Sequence, residues 1–270
     1  MDAVEVRRGG SPLILSFPHV GTGVPPEIGA RLNENGKLLA DTDWHVDHLY
    51  EGLVEDATWV RANFHRYVID ANRDPAGTSL YPGQNTTGLV PETDFDGEPI
   101  WRPGAEPTQA DIAERLAAFH APYHAALAAE IARVKALHGL AVLYDAHSIR
   151  SKIPFLFEGT LPDLNLGTND GHACTPAIQA AALAAVRQAE GFSSVLNGRF
   201  KGGWTTRHYG RPETGVHAVQ MELAQSAYVA CEHPPFTYDD AKAGRLRKIL
   251  REVLSRIEAI ALELSSRGND

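Results

Sequence analysis

Leu13-Ile14-Leu15-Ser16-Phe17-Pro18-His19 is the stretch whose reading decides the fold. A short, nearly all-apolar run reads as a buried strand, and Pro18 cannot donate to a ladder, so the strand must stop there. Leu140-Ala141-Val142-Leu143-Tyr144 repeats the pattern and leads into Asp145-Ala146-His147-Ser148. Thr58–Ala62, Tyr67–Ile69, Ser194–Leu196 and Val216–Leu223 have the character of further strands. Between them lie helical patterns. Asp41–Asp56 carries Val46, Leu49, Tyr50 and Leu53 at helical spacing, with Asp41 or Thr42 as the N-cap. Thr108–Leu137 is rich in alanine and predicts a long helix broken or kinked near Pro122. Thr175–Glu190 is helical, and Tyr238–Ser265 closes the chain with Leu246, Ile249, Leu250, Val253, Ile257 and Ile260 on one stripe. Strands alternating with helices predict a three-layer α/β fold, a largely parallel or mixed central sheet flanked by helices, in one domain over residues 1–270. Val20–Pro26, Asn72–Pro107 and the Gly-rich Gly198–Gly203 read as loops; a stretch as long as the second is usually functional or disordered.

Composition narrows the function. The formal net charge is −9 and the basic residues are scattered, so a duplex-binding face is not expected. An anionic small molecule would need a few specific arginines working against the overall field. The two cysteines, Cys174 and Cys231, lie far apart with no CxxC, which fits a reducing compartment. The N-terminal MDAVEVRRGG has no apolar core of a signal peptide, and no run approaches a membrane span; the chain is expected in the cytoplasm. Twelve histidines point toward metal or acid–base chemistry.

His19 follows the first apolar run, and His147 stands in the same relation to the second, beside Asp145. Ligands in α/β sheets bind beyond the carboxyl ends of strands. A lone histidine there is best read as a hydrogen-bonded cap; two in equivalent positions point to a metal. A catalytic zinc takes three protein ligands, often two histidines and a carboxylate. Asp43 and Asp47, one helical turn apart, are the nearby acids; Asp47 reads as solvated surface, and Asp43, in the first turn, stays open between surface and ligand. Glu222 stands within the apolar Val219–Leu223, where an idle carboxylate is costly. Burial would raise its pKa and suit a general base; an ion pair with an arginine is the competing reading. Arg73, just past Val68-Ile69-Asp70-Ala71-Asn72, and Arg207, past Gly202-Gly203, are candidate carboxylate binders or structural salt bridges. His120-Ala121-Pro122-Tyr123-His124 has HxxxH spacing without the zincin glutamate, and reads as packing or support. No GxSxG, P-loop or dinucleotide fingerprint occurs.

At these residues the chain resembles the N-formylglutamate amidohydrolase family of bacterial histidine degradation. The resemblance is carried by Ser16–Gly21, Asp41–His45, Tyr67–Arg73, Leu80-Tyr81-Pro82-Gly83, Thr86–Leu89, Asp145–Arg150, Leu166–Thr168, Arg199–Gly210 and His217–Ser226. The order and number of these segments make it specific. The family looks like a distant relative of the zinc carboxypeptidases, which implies a mixed sheet with one divalent metal, of zinc type, above it. It further implies that His19, Asp43 and His147 hold the metal, with Ser148 and Asp145 supporting, and that Asn72-Arg73 binds a substrate carboxylate. Arg207 would take the second carboxylate and Glu222 would be the base. Glu27 and Asp47 are the alternative third ligands. The implied reaction is hydrolysis of N-formyl-L-glutamate, a small anion, to formate and L-glutamate. The alternatives are a hydrolase of another N-acyl amino acid or γ-glutamyl peptide, and a non-catalytic binder of acidic amino acids.

Overall fold

The computed structural model describes residues 1–79 and 83–267, so the first three residues of the Leu80-Tyr81-Pro82-Gly83 motif lie outside the described residues. Among the described residues seven strands form one mixed sheet: β1 (Val4–Arg7), β2 (Leu13–Phe17), β3 (Thr58–Ala62), β4 (Ala141–Ile149), β5 (Leu164–Gly167), β6 (Ser194–Leu196) and β7 (Val216–Ala224). Their order is β1-β3-β2-β4-β7-β5-β6. The central β3, β2, β4 and β7 are mutually parallel, β1 is antiparallel to β3, and β5 is antiparallel to β7 and parallel to β6. The helices are α1 (Pro26–Gly29), α2 (Val46–Tyr50), α3 (Gln109–Arg115), α4 (Ala121–His138), α5 (Pro176–Arg187), α6 (Trp204–Tyr209) and α7 (Asp240–Arg267). This is the mixed, helix-flanked α/β sheet expected.

The two faces of the sheet separate by residue parity. Leu13, Leu15, Phe17, Val142, Tyr144, Ala146, Val219, Met221 and Leu223 project to one side and pack against the apolar stripes of α5 and α7. Ile14, Val60, Ala141, Leu143, Val216 and Ala218 project to the other, against Tyr123, Leu127, Ile131 and Val134 of α4. On this second face the parity then turns polar toward the carboxyl ends: Ser16 on β2, Asp145 and His147 on β4, Gln220 and Glu222 on β7. The apolar lower half anchors the strands, and the polar upper half is left for a site.

Several expectations are corrected. Asp41–Asp56 is not one helix; only Val46–Tyr50 is helical, and it starts after His45 in the left-handed region at φ 62°. Asp41 and Asp43 are buried instead. Asp41 accepts from the Tyr67 hydroxyl and the Phe95 amide, a tertiary bonding that outcompetes helix capping. Tyr67–Ile69 is a turn rather than a strand, with the Val68 amide bonded to the His65 carbonyl; its apolar residues are buried but pair with no neighbour strand. The break in the long helix is a π-helical turn at Leu116–His120 that precedes Pro122. β4 continues through His147, so that histidine lies within the strand and not beyond it. β1, β5, α1 and α6 were too short to read from periodicity. Both cysteines are free. No helix among the described residues is long and apolar enough to cross a membrane.

Candidate metal centre and active site

Strand register builds the floor of the site. β4 and β7 are parallel and in register with His147 opposite Glu222 and Asp145 opposite Gln220, so these four side chains share a face at the spacing of adjacent strands. β2 brings Ser16 opposite Asp145, and His19 stands two residues beyond the end of β2. The His19 carbonyl accepts from the Asp43 amide, which ties the 41–45 loop to the strand end. From behind, Gln225 Nε2 donates to the Thr42 carbonyl (3.0 Å) and the Tyr228 hydroxyl contacts the Trp44 carbonyl (2.8 Å). Ser148, on the opposite face of β4 from His147, bonds Tyr228 (2.7 Å) and so braces that loop.

The result is a buried group of His19, Asp43 and His147 whose ligand atoms all lie within 4.8 Å of one another. His147 Nδ1 is 3.0 Å and His19 Nδ1 3.7 Å from Asp43 Oδ2. Each histidine turns its other nitrogen toward a buried carboxylate: His19 Nε2 is 2.6 Å from Asp70 Oδ1, and His147 Nε2 is 3.0 Å from Asp145 Oδ2. Asp145 is itself held by Ser16 Oγ (2.9 Å), which bonds the Tyr123 hydroxyl. A carboxylate behind each histidine is the arrangement that fixes the tautomer and raises the basicity of a metal-ligating imidazole. Around this floor lie the carboxyl groups of Asp43, Asp70, Asp145 and Glu222 and the guanidinium groups of Arg66 and Arg73. The donor set and its supports therefore fit a metal ion. Asp47 pairs with Arg61 (2.9 Å) at the surface, and Glu27 is exposed on α1; neither joins the group.

Electrostatics assign charges to the floor. Burial would raise the pKa of Asp43, but hydrogen bonds from His147 and His19 outweigh it and keep the carboxylate ionised below the usual range. Burial likewise opposes ionisation of Asp70, and the charges of Arg73, His19 and Arg66 reverse the sign. His147 goes the other way: burial favours the neutral ring, yet Asp145 and Asp43 raise its pKa well above the ordinary value. Burial raises the Glu222 pKa, with the charge of His147 opposing. The Glu222 carboxylate accepts a hydrogen bond from the neutral amide of Gln220 (3.1 Å). Arg66, instead of pairing with it, sets its Nη2 against the His19 ring (2.7 Å from Nδ1, 2.9 Å from Nε2), bonds Asp70 (3.2 Å) and lies 3.9 Å from Asp43.

A cleft opens above this floor, lined by His19, Asp43, His147, Glu222, Gln220, Arg66, Asn72 and Arg73, with Phe95, Ile149, Leu156, Arg199 and Phe200 along its wall. Asn72 is positioned from three sides: its amide donates to Asp70, Thr205 N donates to its Oδ1 (2.8 Å), and its Nδ2 is 3.0 Å from His147 Nε2. Gly203 permits this approach, since a Cβ there would sit 2.3 Å from Asn72 Nδ2. The HxxxH pair serves the same segment: His120 Nε2 bonds the Arg73 carbonyl (3.1 Å) and His124 Nε2 the Ala71 carbonyl (2.8 Å). Arg73 is held by Thr87 O (2.9 Å) and Oγ1 (3.0 Å) and reaches to 3.6 Å from Asp70. Arg207 does not line this cleft; it lies on α6 and its Nε donates to the Gly202 carbonyl (2.8 Å). Arg199 lines it in its place. Sequence reasoning also passed over Arg66 and Asp70. Asp70 stands inside the quoted Val68–Asn72 stretch, and its position two residues before Asn72 was the available signal.

A profile of the family described as N-formylglutamate amidohydrolase matches residues 11–229. The chain belongs to that family. It is 48% identical over 259 residues to an N-formylglutamate deformylase of Pseudomonas aeruginosa, covering 96% of this chain and 97% of that one. To an N-formylglutamate deformylase of Pseudomonas putida it is 43% identical over 265 residues, 97% and 98% of the two chains. The crystal structure of an N-formylglutamate amidohydrolase from Ralstonia eutropha superposes with a TM-score of 0.78 at 26% identity, over 99% of this chain and all (100%) of the other. A gene product of Agrobacterium tumefaciens shares the fold, with a TM-score of 0.73 at 19% identity over 95% of each chain.

Proposed function

We propose that this amidohydrolase cleaves N-formyl-L-glutamate to formate and L-glutamate, with Glu222 as the general base and His19, Asp43 and His147 holding a divalent metal, zinc by preference of the donor set. The observation that carries the reading is the buried His-Asp-His group with Glu222 in register beside it. The relatives' activity on N-formylglutamate supplies the substrate. A metal in such a site acts as a Lewis acid toward a carbonyl and lowers the pKa of water.

The chain's own residues do the rest. Glu222 takes a proton from the attacking water and delivers it to the amine nitrogen as the C–N bond breaks. Burial opposes the charge of the carboxylate, which favours its taking up the proton that it then passes on. Gln220 orients it: the amide accepts from the Gly203 N–H through Oε1 and donates to Glu222 through Nε2. Arg66, buried, with its guanidinium carbon 4.9 Å from the Phe95 ring centroid, is the cation at the cleft floor available to the oxyanion that develops on the formyl oxygen. Arg73, beside Asn72 at the floor, binds the substrate's α-carboxylate and so fixes the amide over Glu222. For Arg207 the geometry favours holding the Gly202 carbonyl, and with it the loop that packs on Asn72. The small formyl group leaves selectivity to the amine side of the substrate.

The test is release of free glutamate or aspartate from a panel of their N-formyl, N-acetyl and N-propionyl derivatives, before and after chelation and metal restoration. Release confined to N-formylglutamate, lost with chelator and restored by metal, supports the reading. Binding of glutamate derivatives without any turnover in metal-loaded protein replaces it with that of a binding protein.

A further inference from the structure

N-formylglutamate carries two carboxylates separated by a carbon chain, and one arginine beside Asn72 can serve only one of them. We infer that Arg199 receives the side-chain carboxylate and thereby sets the enzyme's preference for an acidic amino acid; this rests on the deformylase reading above.

Arg199 follows Gly198 on the loop between β6 and α6, and it lines the same cleft as Glu222, Asn72 and Arg73. Two separate loops aim its guanidinium. Its Nε donates to the Leu156 carbonyl (3.2 Å) and its Nη2 to the Asn85 carbonyl (3.2 Å). Its guanidinium carbon lies 5.2 Å from the Phe200 ring centroid. A planar cation anchored to two loop carbonyls and set against a ring keeps a defined direction, which favours two-point binding of a carboxylate.

The two arginines are tied to different parts of the cleft. Arg73 is linked to the floor through Asp70, which bonds His19. Arg199 is linked to Leu156 and Asn85, on the wall. Leu156 and Phe200 pack on the small apolar cluster of Phe95, Ile149, Ile153, Leu161 and Ala224. Phe95, Ile149, Leu156 and Phe200 all line the cleft, an apolar strip suited to the two methylenes of a glutamyl side chain. The cleft thus offers a partner for each group of the substrate: Glu222 for the amide, Arg73 for the α-carboxylate, the apolar strip for the methylenes and Arg199 for the terminal carboxylate.

The experiment compares N-formyl-L-glutamate with N-formyl-L-glutamine, which replaces the terminal carboxylate by a neutral amide of the same size. For wild type, kcat/KM should favour the glutamate by roughly 30-fold or more, the usual effect of removing one member of a charge-assisted pair. Arg199→Met should collapse that ratio to within about threefold of unity, mainly through KM for the glutamate, while Arg199→Lys should retain part of it. Arg73→Met should lower both substrates by similar factors, because both keep the α-carboxylate. An Arg199→Met enzyme that keeps the wild-type ratio overturns the inference. So does one that loses both substrates equally without rescue by Arg199→Lys, since that marks a merely structural arginine. A wild-type enzyme with no formate release from either substrate would instead remove the deformylase reading on which the inference stands.

Discussion

Replacing Glu222 by glutamine is the sharpest perturbation of the proposed chemistry. The substitution keeps size and one hydrogen-bonding oxygen, so the contact from Gln220 Nε2 survives, but an amide cannot accept the proton of the attacking water. Glu222 stands beside His147 across one strand spacing. Its loss should therefore act at the reacting atoms and leave the His19–Asp43–His147 group intact. A positioned acid–base group contributes roughly 10²–10⁴ in rate. That is about 3–5 kcal/mol of activation free energy. We expect kcat to fall by that factor with KM for N-formylglutamate and metal content nearly unchanged. Stability gives an independent sign. Burial raises the folded-state pKa of Glu222 above its unfolded value, so between the two values the folded protein holds the extra proton and stability falls as pH rises. Metal-free Glu222→Gln should escape that loss and be more stable than metal-free wild type on the alkaline side. The assay is coupled formate detection normalised to folded, metal-loaded protein, with denaturant melts of the metal-free forms at several pH values. Near-normal kcat on that basis would refute the general-base assignment. A glutamine variant destabilised at every pH would show that the carboxylate serves as an ionic partner.

The other expected outcomes are more local. His19→Ala/His147→Ala should reduce bound divalent metal, measured by elemental analysis after dialysis, to the level of chelated protein; unchanged stoichiometry would move the metal elsewhere. Arg73→Ala should raise KM for N-formylglutamate by a factor of ten or more, consistent with roughly 2–4 kcal/mol for a charged bidentate contact, and an unchanged KM would exclude it from substrate binding. His124 is buried, with its pKa lowered to about 3 by desolvation and then by the neighbouring His120. Its folded pKa lies below the unfolded 6.5, so its contribution is intact above pH 6.5 and is lost as pH falls through the window toward 3. The cost at pH 5 is about 2 kcal/mol. His124→Gln, which keeps a donor for the Ala71 carbonyl, should flatten the acid slope of stability in denaturant titrations at pH 7.5 and 5; an unaltered slope would show that another group controls it.

What could be read in the sequence was whatever a strand's length and parity determine. The two apolar runs ending near His19 and His147 are local features, and a parallel sheet necessarily carries the residues at their carboxyl ends to one edge, so the meeting of these two histidines was legible without knowing the strand order. Glu222 was legible for a related reason: one acid in an apolar strand has to be used or paired. Asp43 was reached on a mistaken local premise. Its helix does not begin until Val46, and the residue is held by the His19 carbonyl and the β4 histidine, contacts between segments distant in sequence. Arg66 and Asp70 escaped notice because the turn that presents them resembles a strand in composition, and only the tertiary fold gives their side chains partners. The arginines show the same limit most clearly. Arg199 and Arg207 flank one Gly-rich segment, and composition favours neither. The short α6 starting at Trp204 separates them: Arg207 turns back on the Gly202 carbonyl, and Arg199 is drawn to carbonyls of two other loops on the cleft wall. Which of the two arginines lines the cleft is therefore set by a six-residue helix, too short to leave a periodic signal in the chain.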